Sequence, residues 1–103
     1  MKKERIIIRI TEEVLGSPEE HVNKTLDEVI SKLKEKVQVN SVQKHDSKEM
    51  DNKMFSAFAD IELETDSIKT ILEICFDFMP SNIEILDPAG IPVDSNELAE
   101  MLN

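Results

Sequence analysis

Tryptophan and tyrosine are absent from this chain, and phenylalanine occurs only four times in 103 residues. RNA-reading domains stack bases on aromatic rings, so that function starts with little to build on. Basic residues are scarce as well. Twelve Lys and Arg stand against 22 Asp and Glu, for a net charge of −10. Such a surface repels nucleic-acid backbones and anionic lipid headgroups alike. We therefore expect neither a nucleic-acid nor a membrane partner. Acidity also serves simple solubility, so it does not by itself name a partner.

Cysteine occurs once, at Cys75. A single thiol closes no internal disulfide and fits a reducing compartment, so the expected location is the cytoplasm. No CxxC pair is present for a metallochaperone of small α+β type, and no glycine-rich phosphate loop is present. Glycine occurs twice and proline four times, which excludes a low-complexity or disordered chain. No apolar run approaches the ~20 residues of a membrane span. The apolar run Ile6–Ile8 is too short for a signal peptide.

What is present is a clear alternation of patterns. One domain, residues 1–103, accounts for the length. A chain of this size buries roughly 65% of the surface it exposes when unfolded, enough for a core without staples. The stretch Met54 to Glu64 alternates as a strand, with Phe55, Ala57, Ala59, Ile61 and Leu63 on one face. Met54, Ser56, Phe58, Asp60, Glu62 and Glu64 fall on the other. Glu4 to Ile10 reads as a strand too, with Ile6, Ile8 and Ile10 sharing one face and Arg5, Ile7 and Arg9 the other. A connection follows through Glu12 to Gly16.

Ser17-Pro18-Glu19-Glu20 has the form of a capped helix start, with Ser17 as the cap and Glu20 closing a capping box. Val22, Leu26, Val29, Ile30 and Leu33 then recur at helical spacing. Val37 to Lys44 reads as an edge strand, and Val42, out of phase with Val39, calls for a bulge. His45 to Lys53 reads as an exposed loop. Asp66 is the expected cap of a second helix reaching about Met79, with Ile68, Ile71, Leu72, Cys75 and Met79 inward. Ile74, Phe76 and Phe78 widen its apolar arc beyond what one sheet needs. Pro80 stops it. Asn82 to Leu86 is the last strand, and residues 93–103 read as a short appended helix carrying Leu98, Met101 and Leu102.

The order β-α-β-β-α-β is that of the ferredoxin-like α+β fold, a four-stranded antiparallel sheet with two helices on one face. It places the first and third strands side by side in the centre. On the open face Ile7 is then expected beside Phe58, an apolar patch, and Arg9 beside Asp60 or Glu62. The candidate interface is Ile7, Arg9, Phe58, Ile74, Phe78, Leu98, Met101 and Leu102. Either the last helix folds back on its own sheet, or the open face meets a second copy.

Catalytic groups are not marked by any spacing in the chain. Cys75 on the inner stripe reads as a small buried hydrophobe, and His21 and His45 as solvated side chains. His45 with Asp46, Glu49 and Asp51 lacks the glycine and the twelfth-position glutamate of a calcium loop. Lys53-Met54-Phe55-Ser56-Ala57-Phe58 is only loosely like an RNA-binding run, with Phe58 alone outward. An acylphosphatase would need a glycine-rich, arginine-bearing turn where Thr11-Glu12-Glu13-Val14-Leu15 stands. Acidic side chains at Glu62, Glu64, Asp66, Glu84 and Asp87 read as a solvated rim rather than paired acid–base groups. We expect no enzyme, no cofactor and no metal.

The stretches Phe55–Glu64, Ile74–Pro80 and Asn82–Leu86 resemble a small family of uncharacterised archaeal proteins of ferredoxin-like fold. The resemblance covers about the C-terminal half and implies no activity or site residues. The expected function is that of a non-enzymatic, self-associating interaction module. The alternative is a small-molecule-sensing regulatory domain of ACT-like type, an expectation from fold analogy alone.

Overall fold

The computed structural model describes residues 5–87. Within them the chain forms β1 (Ile6–Gly16), α1 (Glu19–Lys36), β2 (Gln38–Lys44), β3 (Lys48–Glu49), β4 (Phe55–Thr65), α2 (Ile68–Phe78) and β5 (Asn82–Asp87). The sheet runs β2-β4-β1-β5, with the short β3 also pairing to β4. Pairing is antiparallel throughout. This is the ferredoxin-like α+β arrangement, with β1 and β4 central. The expected helix at residues 93–103, with Leu98, Met101 and Leu102, lies outside the described residues.

The core follows from strand parity. Ile6, Ile8 and Ile10 of β1 and Ala57, Ala59, Ile61 and Leu63 of β4 are buried beneath the helices. From α1 come Val22, Leu26, Ile30 and Leu33, at the spacing of one helical face. Beta-branched residues suit the pleat on the strands, and the two alanines of β4 leave room above them. In β2 the register shifts between Val39 and Ser41, so that Val39 opposes Leu63 and Val42 opposes Ile61. The expected bulge is there, and it returns both valines to the core side.

Four local expectations are corrected. β1 does not end at Ile10. It runs on through the supposed connection to Gly16, paired step for step with β4 from Ile6↔Thr65 to Gly16↔Phe55. Ser17 does not cap α1. Pro18 occupies the cap position, and its carbonyl accepts from the N–H groups of His21 and Val22. α2 is capped by Ser67, whose hydroxyl accepts from the Thr70 N–H at 3.3 Å, not by Asp66. The stretch after β2 is not all loop, since β3 adds to β4 opposite Phe55 and Ser56.

The orientation of α2 also differs from expectation. Its buried residues are Ile71 and Ile74, with Ile68, Cys75 and Phe78 packed against the core. Ile74, counted among interface candidates, is fully buried, and Phe78 is turned to the core side. Met79, expected inward, is 78% exposed, and Phe76 is 79% exposed. Met79 adopts a left-handed conformation and its N–H bonds the Cys75 carbonyl, closing the helix. Pro80 follows and cannot continue it.

Candidate functional site

The two faces of the sheet present different chemistry at neighbouring positions. On the outer face, β1 sets Ile7, Arg9, Thr11, Glu13 and Leu15 against Glu64, Glu62, Asp60, Phe58 and Ser56 of β4. Arg9 has the acidic cross-strand neighbours that were expected. It stands opposite Glu62 and Glu84, and its guanidinium lies 3.6 Å from the Glu84 carboxylate. Ile7 and Phe58 do not meet. Ile7 opposes Glu64 and Phe58 opposes Glu13, six residues along the strand or about 20 Å. The expected apolar patch is absent because the long β1 shifts Phe58 toward its far end.

Phe58 instead stacks on His45, ring centres 4.3 Å apart and planes 17° from parallel. The His45 N–H of the main chain bonds the Phe58 carbonyl at 3.0 Å. Its ring Nε2 lies 3.0 Å from Asp60 Oδ2, and Thr11 Oγ1 donates to Asp60 Oδ1 at 2.7 Å. His45 is thus a fixed, half-buried side chain rather than a solvated one. The Thr11 hydrogen bond, and then that from His45, hold the Asp60 carboxyl below the usual carboxylate range. In this order the carboxylate separates the hydroxyl from the imidazole. The hydroxyl–imidazole–carboxylate order of a catalytic triad is therefore not formed, and the group that meets Thr11 is a carboxylate held below its usual range, a weak base. The arrangement ties the β2–β3 connection to the sheet.

Three carboxylates of the acidic rim, Glu62, Glu64 and Glu84, have partners. Asn40 donates to Glu62 and Glu64, and Arg5 lies 3.8 Å from Glu64. Arg9, Ser41, Gln43, Asp60 and Glu62 line an open cleft of about 300 Å³ on this face. Among the described residues no three His, Cys, Asp or Glu side chains gather to hold a metal ion. His21 lies exposed in the first turn of α1.

The inner face holds a residue that sequence reasoning missed. Glu12 follows Ile10 on the core side of β1 and is only 4% exposed. Its Oε1 has no hydrogen-bond partner among the described residues. Burial pushes its carboxyl up to about 7. Cys75, on α2, is near enough that the Glu12 charge adds to burial in raising its thiol. A thiol raised this way is a weak nucleophile, in keeping with Cys75 as a small apolar side chain beside the core. The available signal for Glu12 was parity. Had the alternation of Ile6, Ile8 and Ile10 been followed to Val14, position 12 would have fallen inward.

At the margin of the core α2 leaves Leu72, Phe76 and Met79, spaced i, i+4, i+7, on the side turned from it. The Lys36 ammonium meets Asp77 at 3.0 Å and Glu73 at 3.4 Å on another side of the helix. No helix among the described residues is long and apolar enough to cross a membrane. A protein-family model described as the MJ0538 family matches residues 7–103. No curated protein matches the chain, and no solved structure matches it.

Proposed function

The chain belongs to the MJ0538 family, and we propose that it works as a non-enzymatic, self-associating interaction module whose contact surface is α2. The observation that carries this reading is the exposure of Phe76 and Met79, 79% and 78%, on a helix whose other side is core. With Leu72 they form a stripe along α2 that water covers at a cost of ~25 cal/mol per Å² of apolar area. A second copy related by a two-fold axis can cover the stripe with its own. Ile7, Arg9 and Phe58 fit this role less well, because their neighbours on the sheet are Glu64, Glu84 and His45. The single thiol supports a cytoplasmic setting, and the Ile-, Lys- and Glu-rich composition supports a thermophilic one.

Light scattering of the full chain across a dilution series tests the reading. We expect a dimer that persists into the low micromolar range. Phe76→Glu should split it, and Phe58→Glu should leave it dimeric. A monomer at every concentration would overturn the proposal. A second reading, a small-molecule-sensing regulatory domain, draws on the outer-face cleft, where Arg9 suits an anionic group and Asp60 and Glu62 a cationic one. A thermal-shift screen of zwitterionic metabolites would reveal it as a rise in midpoint that Arg9→Ala abolishes.

A further inference from the structure

β1 and β5 do not have the same length, and the difference leaves a notch in the sheet. β5 pairs with β1 from Ile7 to Thr11, and the preceding turn at Ser81 bonds the Thr11 carbonyl at 2.8 Å. Beyond that point Pro80 and the end of α2 carry the chain away. β1 nevertheless continues to Gly16, paired on its other side to β4 without interruption. Because the Thr11 carbonyl faces β5, period-two geometry turns the N–H and C=O groups of Glu13 and Leu15 to the same side. The opposite strand agrees, for the Phe58 carbonyl across from Glu13 points outward to His45. Among the described residues nothing bonds these edge groups of Glu13 and Leu15.

Three further features surround the notch. Leu15 is 59% exposed on its outer side. Glu12, on its inner side, is 4% exposed, and its Oε1 has no hydrogen-bond partner among the described residues. The stretch from Thr11 to Glu20 holds four glutamates and no Lys or Arg. Glu13 accepts from Ser56 at 3.3 Å and Glu19 from Ser47 at 2.8 Å, neutral donors that leave both charges in place. A strand lying in the notch would set a side chain beside Glu12 on the inner face, at the ~5 Å separation of cross-strand neighbours.

We propose that the β1 edge from Glu12 to Gly16 takes up a short, extended, basic segment of a protein partner as an added strand, with a lysine or arginine of that segment beside Glu12. Main-chain bonds to Glu13 and Leu15 supply the pairing, and the acidic side chains select the charge. A second copy is disfavoured here because its own β1 edge carries the same glutamates. The chain's residues 88–103 are disfavoured likewise, with Asp94, Glu97 and Glu100 and no basic residue. This site is independent of the α2 stripe, and neither reading depends on the other.

The test is amide hydrogen exchange, followed by NMR, on the dilute full chain with a blocked heptapeptide of alternating lysine and valine. We expect the Glu13 and Leu15 amides to exchange at least about tenfold more slowly at saturating peptide, with Thr11 unchanged. N-methylating alternate peptide amides should weaken binding about tenfold, or ~1.4 kcal/mol. Replacing lysine by glutamate in the peptide should abolish it. Glu12→Gln, which keeps the shape of the side chain, should reduce the preference for lysine about fivefold. Several results would overturn the proposal: no slowing at Glu13 and Leu15, or equal binding of the N-methylated or glutamate peptides. Protection already present in the free dilute chain would assign the edge to residues 88–103. Protection that rises with chain concentration alone would assign it to a second copy.

Discussion

Glu12 and Asp60 stand one register step apart on adjacent strands, on opposite faces of the same sheet. Thr11 pairs with Asp60 and Glu12 with Ala59. The outer carboxylate has a hydroxyl and an imidazole on its two oxygens and is held below its usual range. The inner one is buried, has no partner on Oε1 among the described residues, and is pushed up to about 7. The same functional group titrates in opposite directions because one face supplies donors and the other only removes water. Sheet face, rather than residue type, sets the chemistry of each carboxylate.

The largest effect that would break or sharpen this contrast is at Glu12. Its raised carboxyl means that the folded chain holds the proton more tightly than the unfolded one. The resulting stability is fully present below about pH 4.5, the ordinary value, and is lost as pH rises to about 7. The full difference is about 3 kcal/mol. Glu12→Gln should remove this slope and leave the chain more stable than the parent above pH 7, by about 1–3 kcal/mol. Urea unfolding at pH 4.5, 6 and 8 measures both. A parent curve that does not fall across that window would show that Glu12 is solvated like its outer neighbour.

Asp60→Asn tests the other face and should act with the opposite sign. A depressed carboxyl contributes stability above its unfolded value, near 3.8, that is lost as pH falls through the folded one. Asp60 is partly exposed, so we expect a loss of only about 1 kcal/mol at pH 7. Chemical denaturation at pH 7 and pH 2.5 should show the variant and parent converging at the lower pH. The smallest effect is at Phe58. Phe58→Leu removes the ring beneath His45 and should cost about 0.5–1 kcal/mol. It should also speed exchange of the His45 amide, which bonds the Phe58 carbonyl. If the His45 amide keeps its protection, stacking does not hold the loop.

Periodicity made most of the architecture legible. The isoleucines of β1, the alternation of β4 and the i, i+4 spacing of α1 each identify their own buried face, because a side chain's direction is set by its place in the repeat. Even the bulge in β2 could be read, from Val42 standing out of phase. What misled was the run Thr11-Glu12-Glu13. Its charge has the look of a connection, yet pairing to β4 outweighs local polarity and carries β1 to Gly16. That one extension moved Phe58 away from Ile7 and put Glu12 in the core. It also created the unpaired edge beyond β5.

The outer-face cluster was hidden for a related reason. Thr11, His45 and Asp60 lie far apart along the chain and carry no shared spacing. Only the register of three strands brings them within hydrogen-bond reach. In α2 too, the wide apolar arc of the sequence allows more than one orientation, and packing of Ile71 and Ile74 into the core selects the one that exposes Phe76 and Met79. The amino-acid sequence by itself determined the order of the main elements, the inward residues of α1, of β4 and of β1 as far as Ile10, and the acidic character of the surface, since these depend on local repeat and composition. Strand length, cross-strand register and helix rotation were decided only by tertiary structure. They depend on which backbone groups and apolar surfaces find partners at a distance, and those partners settled the ionisation of Glu12 and Asp60.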